Sequence, residues 1–308
     1  MYSKADVDTA WALIRRHVRR TPVLELPEGS LGLASPLALK MELLQHSGSF
    51  KGRGAFHKLL SSRPLPAAGV IAASGGNHGA AVAFAARALD VPAEIFVPTI
   101  ASPAKVARLR SYGATVHQVG AVYGQARAAS ESRAGETGAL QVYAYDDPGV
   151  FLGAGSVALE FAGQASFDTL LVAVGGGGLI AGCALAVGET ARVIAVETTG
   201  TPTLHAAFAA GRPVDVAISG LAADSLGASR IGTPNFEIAR SLVRDAVLVE
   251  DDDVRRAQRL LWEELRVVCE PAGAAGHAAL LCGAYRASPG ERVGLVLCGA
   301  NCDPATVA

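Results

Sequence analysis

Four short stretches of the chain carry residue types that could do chemistry. The first is Ser47-Gly48-Ser49-Phe50-Lys51-Gly52-Arg53-Gly54-Ala55. A lysine set among small residues can be approached by a carbonyl. Partial desolvation beside Phe50 lowers its amine pKa, as Schiff-base chemistry requires. By itself such a lysine is more often a solvated surface group, but Lys51 has few rivals, namely Lys4, Lys40, Lys58 and Lys105. The second is Ser74-Gly75-Gly76-Asn77-His78-Gly79, where hydroxyl, amide and successive backbone N–H groups suit a carboxylate. A plain helix cap would read the same way. The third is Gly175-Gly176-Gly177-Gly178-Leu179, whose N–H groups can converge on an anion such as phosphate at the opening of a helix. Gly176, Gly178 and Ala181 also fit the dinucleotide pattern GxGxxA, with Glu197 as a ribose-binding acid, so a nicotinamide-dependent oxidoreductase is a competing reading. The fourth is Cys298-Gly299-Ala300-Asn301. Cys298 and Cys302 lack the partners of a metal set, and no metal is expected.

These stretches need a scaffold, and the pattern supplies one. Val70-Ile71, Ala93 to Val97, Thr115 to Val119, Leu170 to Val174, Val193 to Val196, Val247 to Val249 and Val293 to Leu297 read as buried strands. Helical stretches lie between them at Gly79 to Leu89, Ala104 to Ser111 and Val254 to Val267. Ser102-Pro103 is a capped helix start, and Asp251 to Asp253 place negative charge where a helix dipole favours it. Continuous apolar strands separated by helices predict an α/β fold with mostly parallel sheets covered on both faces. The glycine clusters follow strand ends, where ligands of such sheets bind.

Composition narrows the class. The 308 residues are 50% hydrophobic and 18% charged, which excludes a disordered chain. With 27 basic and 28 acidic residues the net charge is -1, which argues against a nucleic-acid partner. The uncharged run Leu170 to Gly188 is long enough to span a membrane, but four glycines split it into a strand, a turn and a short helix. The first residues lack the apolar core of a secretory signal, and five cysteines without a CxxC pair suggest a reduced, cytoplasmic protein.

Taken in order, SGSFKGRGA, SGGNHG, VGGGGLIAG, Glu270-Pro271-Ala272-Gly273 and CGAN resemble the pyridoxal-phosphate enzymes of the tryptophan-synthase-β type (fold type II), in the serine/threonine dehydratase and serine racemase branch. The resemblance runs from Arg20-Thr21-Pro22-Val23 to Asn301 and turns the GxGxxA match into part of a phosphate loop. It implies that Lys51 is the Schiff-base lysine and the general base, with Phe50 beside the ring of pyridoxal 5'-phosphate. Gly175, Gly176, Gly177, Gly178 and Leu179 would cradle the phosphate. Asn77 would bond the 3′ oxygen, and Cys298 would face the pyridine nitrogen. Ser74, Gly76, Asn77 and His78 would hold the substrate carboxylate. It also implies two α/β domains, a larger one of residues 1–68 and 146–308 and a small mobile one of 69–145, and a homodimer.

The expected reaction is dehydration and deamination of L-serine or L-threonine, an ammonia-lyase activity. A neutral Cys298 leaves the ring a weaker electron sink, which favours prompt β-elimination. No carboxylic acid near the site is evident, leaving the cofactor phosphate or Lys51 to protonate the departing hydroxyl. Three departures from the family's patterns shape the expectation. Gly75 stands where racemases have a second serine, so racemisation should be minor. After Glu197 come Thr198, Thr199, Gly200, Thr201, Pro202 and Thr203 rather than acids, which speaks against a divalent cation site and leaves a weaker monovalent one open. The chain ends soon after Asn301, so no isoleucine-responsive regulatory domain is expected. Racemisation, β-replacement and dehydration of another 3-hydroxy amino acid such as hydroxyaspartate are the alternatives. The side-chain pocket is expected from Ala222 to Ile231 and Tyr143 to Phe151. His17, His57, His117, His205 and His277 are expected to be structural.

Overall fold

The computed structural model describes residues 2–307. Its strands are β1 (Val23–Leu26), β2 (Leu37–Lys40), β3 (Val70–Ala73), β4 (Ala93–Val97), β5 (Thr115–Gln118), β6 (Leu140–Gln141), β7 (Thr169–Ala173), β8 (Arg192–Thr198), β9 (Val243–Val249) and β10 (Val293–Val296). They form two sheets, one ordered β1-β2-β10-β7-β8-β9 and the other β5-β4-β3-β6. Every pairing is parallel except β1 with β2. Because helices cover both faces, the central strands β3, β7 and β10 are buried at every position.

The larger sheet carries the main core, which Phe151, Phe161, Leu171, Ile180 and Ala275 help to fill. A separate cluster beneath the smaller sheet joins Val70, Ile95, Ala81 and Leu109 to Phe56 and Leu59 of the helix Lys51–Ser61. That helix therefore packs against both units. Helices Pro148–Ala162 and Gly178–Val187 cross with backbones in contact: a Cβ on Gly182 would lie 2.3 Å from the Phe151 carbonyl oxygen. Glycine is needed there, and the close crossing fixes where the second helix begins.

The Lys51–Ser61 helix is also held by buried charge. Arg53 is fully buried and donates to Glu42 through Nε (2.8 Å) and Nη2 (2.7 Å), and to Glu160 through Nη2 (3.0 Å). Lys40 at the end of β2 pairs with the same Glu160 and donates to the Thr21 carbonyl. Burial opposes the charge on Arg53, but Glu42 and Glu160 outweigh it and hold the pKa above its ordinary value. Two cations against two carboxylates leave no charge uncompensated, the condition for burying any of them.

Candidate active site

The ends of β3, β7 and β10 open on one cavity of about 610 Å³. Phe50, Lys51, Ser74, Gly76, Asn77, His78, Gly175 to Gly178, Leu179 and Cys298 all line it, so the structure brings together every residue singled out for the site.

Lys51 starts its helix and is placed by the loop before it. The Phe50 N–H donates to the Cys298 carbonyl at 2.9 Å, and Ser49 forms an antiparallel bridge with Gly299. The lysine thereby sits at the end of β10. Its Nζ donates to the Ala144 carbonyl at 2.8 Å and lies 5.1 Å from the Phe50 ring centroid. Burial lowers its pKa to about 8, against the opposing pull of Cys298 and Glu270. About a tenth of the amine is then neutral at pH 7, far more than for a free lysine, and neutral amine is what attack on a carbonyl requires.

The loop between β7 and the helix Gly178–Val187 turns at Gly177, whose φ of 89° is left-handed. A Cβ there would meet Ile231 Cγ1 at 2.8 Å and Asn235 Cβ at 2.9 Å. Asn235 holds the loop from behind, donating to the carbonyls of Gly176 (2.9 Å) and Tyr145 (3.0 Å). Thr203 donates to the Gly175 carbonyl. With its carbonyls taken by the scaffold, the loop presents a helix N-terminus to the cavity, which suits an anion.

In the loop after β3, the Gly76 N–H donates to Ser74 Oγ at 3.2 Å. His78 is buried with Nε2 3.0 Å from the Val142 carbonyl, so that nitrogen carries the proton. Burial, with Lys51 nearby, lowers its pKa to about 4, and the ring is neutral. Cys298 is buried, and burial reinforced by Glu270 pushes its thiol well above the ordinary value, so it too is neutral.

Glu270 is the residue the sequence reading passed over. It lines the cavity while 3% exposed, and accepts from Asn77 Nδ2 at 2.7 Å and from the Asn301 N–H at 3.2 Å. Burial raises its pKa to about 7, with Asn77 and the Asn301 N–H pulling the other way. A carboxylic acid does therefore line the site. Its signal was the EPAG motif, which was read as a family mark and not as a functional group. Asn301 and Arg108 were missed as well. Asn301 Nδ2 donates to Asn77 Oδ1, and Arg108 Nη1 donates to Asn301 Oδ1 at 2.6 Å.

Glu197 stands apart. It is fully buried, and its carboxylate accepts from Thr203 Oγ1 and the N–H groups of Leu204 and His205, each at 2.8 Å. It caps a helix and is not among the residues that line the cavity. Of the histidines expected to be structural, His57, His205 and His277 contact the carbonyls of Gly149, Ala246 and Leu31, His117 pairs with Glu94, and His17 stacks on Phe56. Ala223 to Ser229, Ala144 and Tyr145 line the outer cavity, within the two expected segments.

The cavity fits pyridoxal phosphate on its own terms: an amine of lowered pKa, a glycine turn at a helix start, and a neutral thiol at the end of the adjoining strand. Comparison with known proteins agrees. The family described as pyridoxal-phosphate dependent enzyme matches residues 14–299. A phenylserine dehydratase of Ralstonia pickettii is 40% identical over 303 residues, covering 96% of this chain and 92% of its own. An L-threonine ammonia-lyase of Geobacter sulfurreducens is 39% identical over 300 residues, covering 96% and 74%. The structure of maize serine racemase superposes with a TM-score of 0.93 at 31% identity, covering 99% of this chain and 95% of that one.

Proposed function

The chain belongs to the pyridoxal-phosphate dependent enzyme family, and from that membership we propose that it eliminates the β-hydroxyl of L-threonine or L-serine, releasing a 2-oxo acid and ammonia. The observation that carries the reading is the placement of Lys51, between the glycine loop, the Ser74–His78 loop and Cys298. When bound, pyridoxal phosphate supplies an electron sink that acidifies the α-carbon of an amino acid.

The chain's own residues then have distinct tasks. N–H groups of Gly175 to Gly178 and Leu179 would hold the phosphate, with Phe50 flanking the ring and Asn77 available to its 3′ oxygen. The Ser74, Gly76, Asn77 and His78 segment binds the substrate carboxylate, with His78 neutral and unable to compete for protons. The Lys51 amine would hold the cofactor and would serve as the base for the proton at the substrate's α-carbon. Cys298 offers the pyridine nitrogen a neutral thiol, which keeps negative charge from resting in the ring and favours loss of the β-substituent.

Racemisation is the second reading, since serine racemases are among the similar proteins. Gly75 lines the cavity without a side chain to carry a proton, which favours elimination. Residues 69–145 are assigned to a small domain that closes on the substrate and 1–68 with 146–308 to the larger one, a division supported by the two sheets. We further assign a homodimer in the cytoplasm. All five cysteines are free, and among the described residues no helix is long and apolar enough to cross a membrane.

The test is 2-oxo acid release from L-threonine, L-serine, L-threo-3-hydroxyaspartate and 3-phenylserine with pyridoxal phosphate supplied. Release ranks the substrates. Silence on all four overturns β-elimination.

A further inference from the structure

The turn that leads into Lys51 is strained, and its own backbone supplies one bond across it, from the Gly48 N–H to the Gln45 carbonyl at 2.9 Å. Ser47 has a φ of 60°, a left-handed conformation uncommon for a residue with a side chain, and Gly48 follows at 75°. The Ser47 hydroxyl is buried without a partner, so the side chain does not anchor the turn. Further anchors come from outside the turn: the Ala300 N–H donates to the Gly48 carbonyl at 3.0 Å, and a side chain of another helix reaches the Ser47 carbonyl. Arg108, on the helix Pro103–Ser111, donates through Nη2 to the Ser47 carbonyl at 2.5 Å and through Nη1 to Asn301 Oδ1 at 2.6 Å. Asn301 donates back to the same Ser47 carbonyl at 2.9 Å and also to Asn77. The guanidinium lies against the turn so closely that a Cβ on Gly48 would stand 3.2 Å from Nη2 and 2.5 Å from Asn301 Oδ1.

We infer that Arg108 is a positioning residue for Lys51 and Asn77: one guanidinium grips the turn before the lysine and the amide that holds Asn77, and so presets both for pyridoxal phosphate. This rests on the assignment of Lys51 and Asn77 to the cofactor. The two acceptors are 61 and 193 residues away in the chain, so no local element could join them. The planar fork of arginine reaches both at once. A lysine at this position offers a point charge that satisfies one. Partial burial strengthens both bonds and makes their loss costly. Arg108 also belongs to a helix beside the smaller sheet, so the placement of that helix is communicated to Lys51.

The experiment titrates pyridoxal phosphate into cofactor-free wild-type, Arg108→Met, Arg108→Lys and Arg110→Met chains. Visible absorbance reports covalent capture and thermal melting reports the cofactor-free fold. Arg110 is exposed on the same helix and serves as the control. Arg108→Met should weaken cofactor binding about ten- to a hundredfold, with melting of the cofactor-free chain little changed. Arg108→Lys should recover part of the loss, and Arg110→Met should match wild type. Wild-type affinity in Arg108→Met overturns the inference, as does a loss that merely follows a drop in melting temperature in both Arg108 variants. Failure of the wild-type chain itself to capture pyridoxal phosphate would instead overturn the assignment of Lys51.

Discussion

Asn77 donates through Nδ2 to Glu270 Oε1 at 2.7 Å, tying the first residue of one helix to the carboxyl group that precedes another, 193 positions later. An ionised carboxylate offers a full acceptor to Asn77 at one oxygen and to the Asn301 N–H at the other, whereas protonation turns one of them into a hydroxyl, a weaker acceptor. With the pKa raised to about 7, protonation near neutrality competes with that arrangement. The sign differs for fold and site. A carboxyl raised above its ordinary 4.5 costs the fold stability as pH rises toward about 7, whereas the acceptor role of Glu270 is gained over the same range. Affinity for pyridoxal phosphate should therefore fall as pH drops through about 7. Glu270→Gln places an amide N–H₂ against one donor, and titration of the variant should show weak binding with no step there.

Lys51 gives a second pH signature. Its amine is lowered from 10.5 to about 8 by burial, and only the neutral form attacks the cofactor aldehyde. Capture of pyridoxal phosphate by the cofactor-free chain should quicken about tenfold per pH unit below 8 and level off above it, as followed by stopped-flow absorbance. The same shift costs stability, since burying the ammonium is unfavourable at every pH below about 8 and the cost fades toward 10.5. Lys51→Met should then raise the melting temperature of the cofactor-free chain at neutral pH while abolishing capture and turnover. A variant that melts lower, or one that still captures the cofactor, would contradict this account.

What could be read from the sequence follows from where each strand lies. β4, β7 and β10 sit inside parallel sheets and show as mostly apolar runs, broken in β4 only by Glu94, so Ala93–Val97 is legible whole and Thr169–Ala173 to within a residue. β1 alternates poorly at a sheet edge, and β2 ends in Lys40, a residue that reads as surface until Glu160 is seen beside it. The helix after Lys51 was hidden for the same reason, because Arg53 and His57 are buried on it. Within the site, glycine runs and the lysine announce themselves through local backbone needs. Glu270, Asn301 and Arg108 do not, because their roles exist only through partners brought together by the fold.

Cys298 tests the electronic argument. Its thiol is neutral because it is buried beside Glu270, so it cannot act as a carboxylate toward the pyridine nitrogen. Cys298→Ser keeps a neutral group of similar size and should retain most activity. Cys298→Asp offers a carboxylate that holds a proton on that nitrogen, and kcat for elimination should fall at least about tenfold, or about 1.4 kcal/mol in the barrier. Equal kcat values in the two variants would remove ring electronics as the reason for elimination.

Gly75→Ser tests the proposed choice of elimination over racemisation. A Cβ added there would meet Val97 Cγ1 at 3.6 Å and Ala101 Cβ at 4.0 Å, which is ordinary contact, and its φ is not among the left-handed ones. Serine fits, and Gly75→Ser should change stability by no more than about 0.5 kcal/mol. The new hydroxyl lines the cavity beside the carboxylate loop and supplies a second proton carrier besides Lys51. Chiral analysis of L-serine incubated with the variant should reveal D-serine at a higher ratio to 2-oxo acid than wild type produces. An unchanged ratio in a variant that still eliminates would mean that the missing hydroxyl is not what limits racemisation.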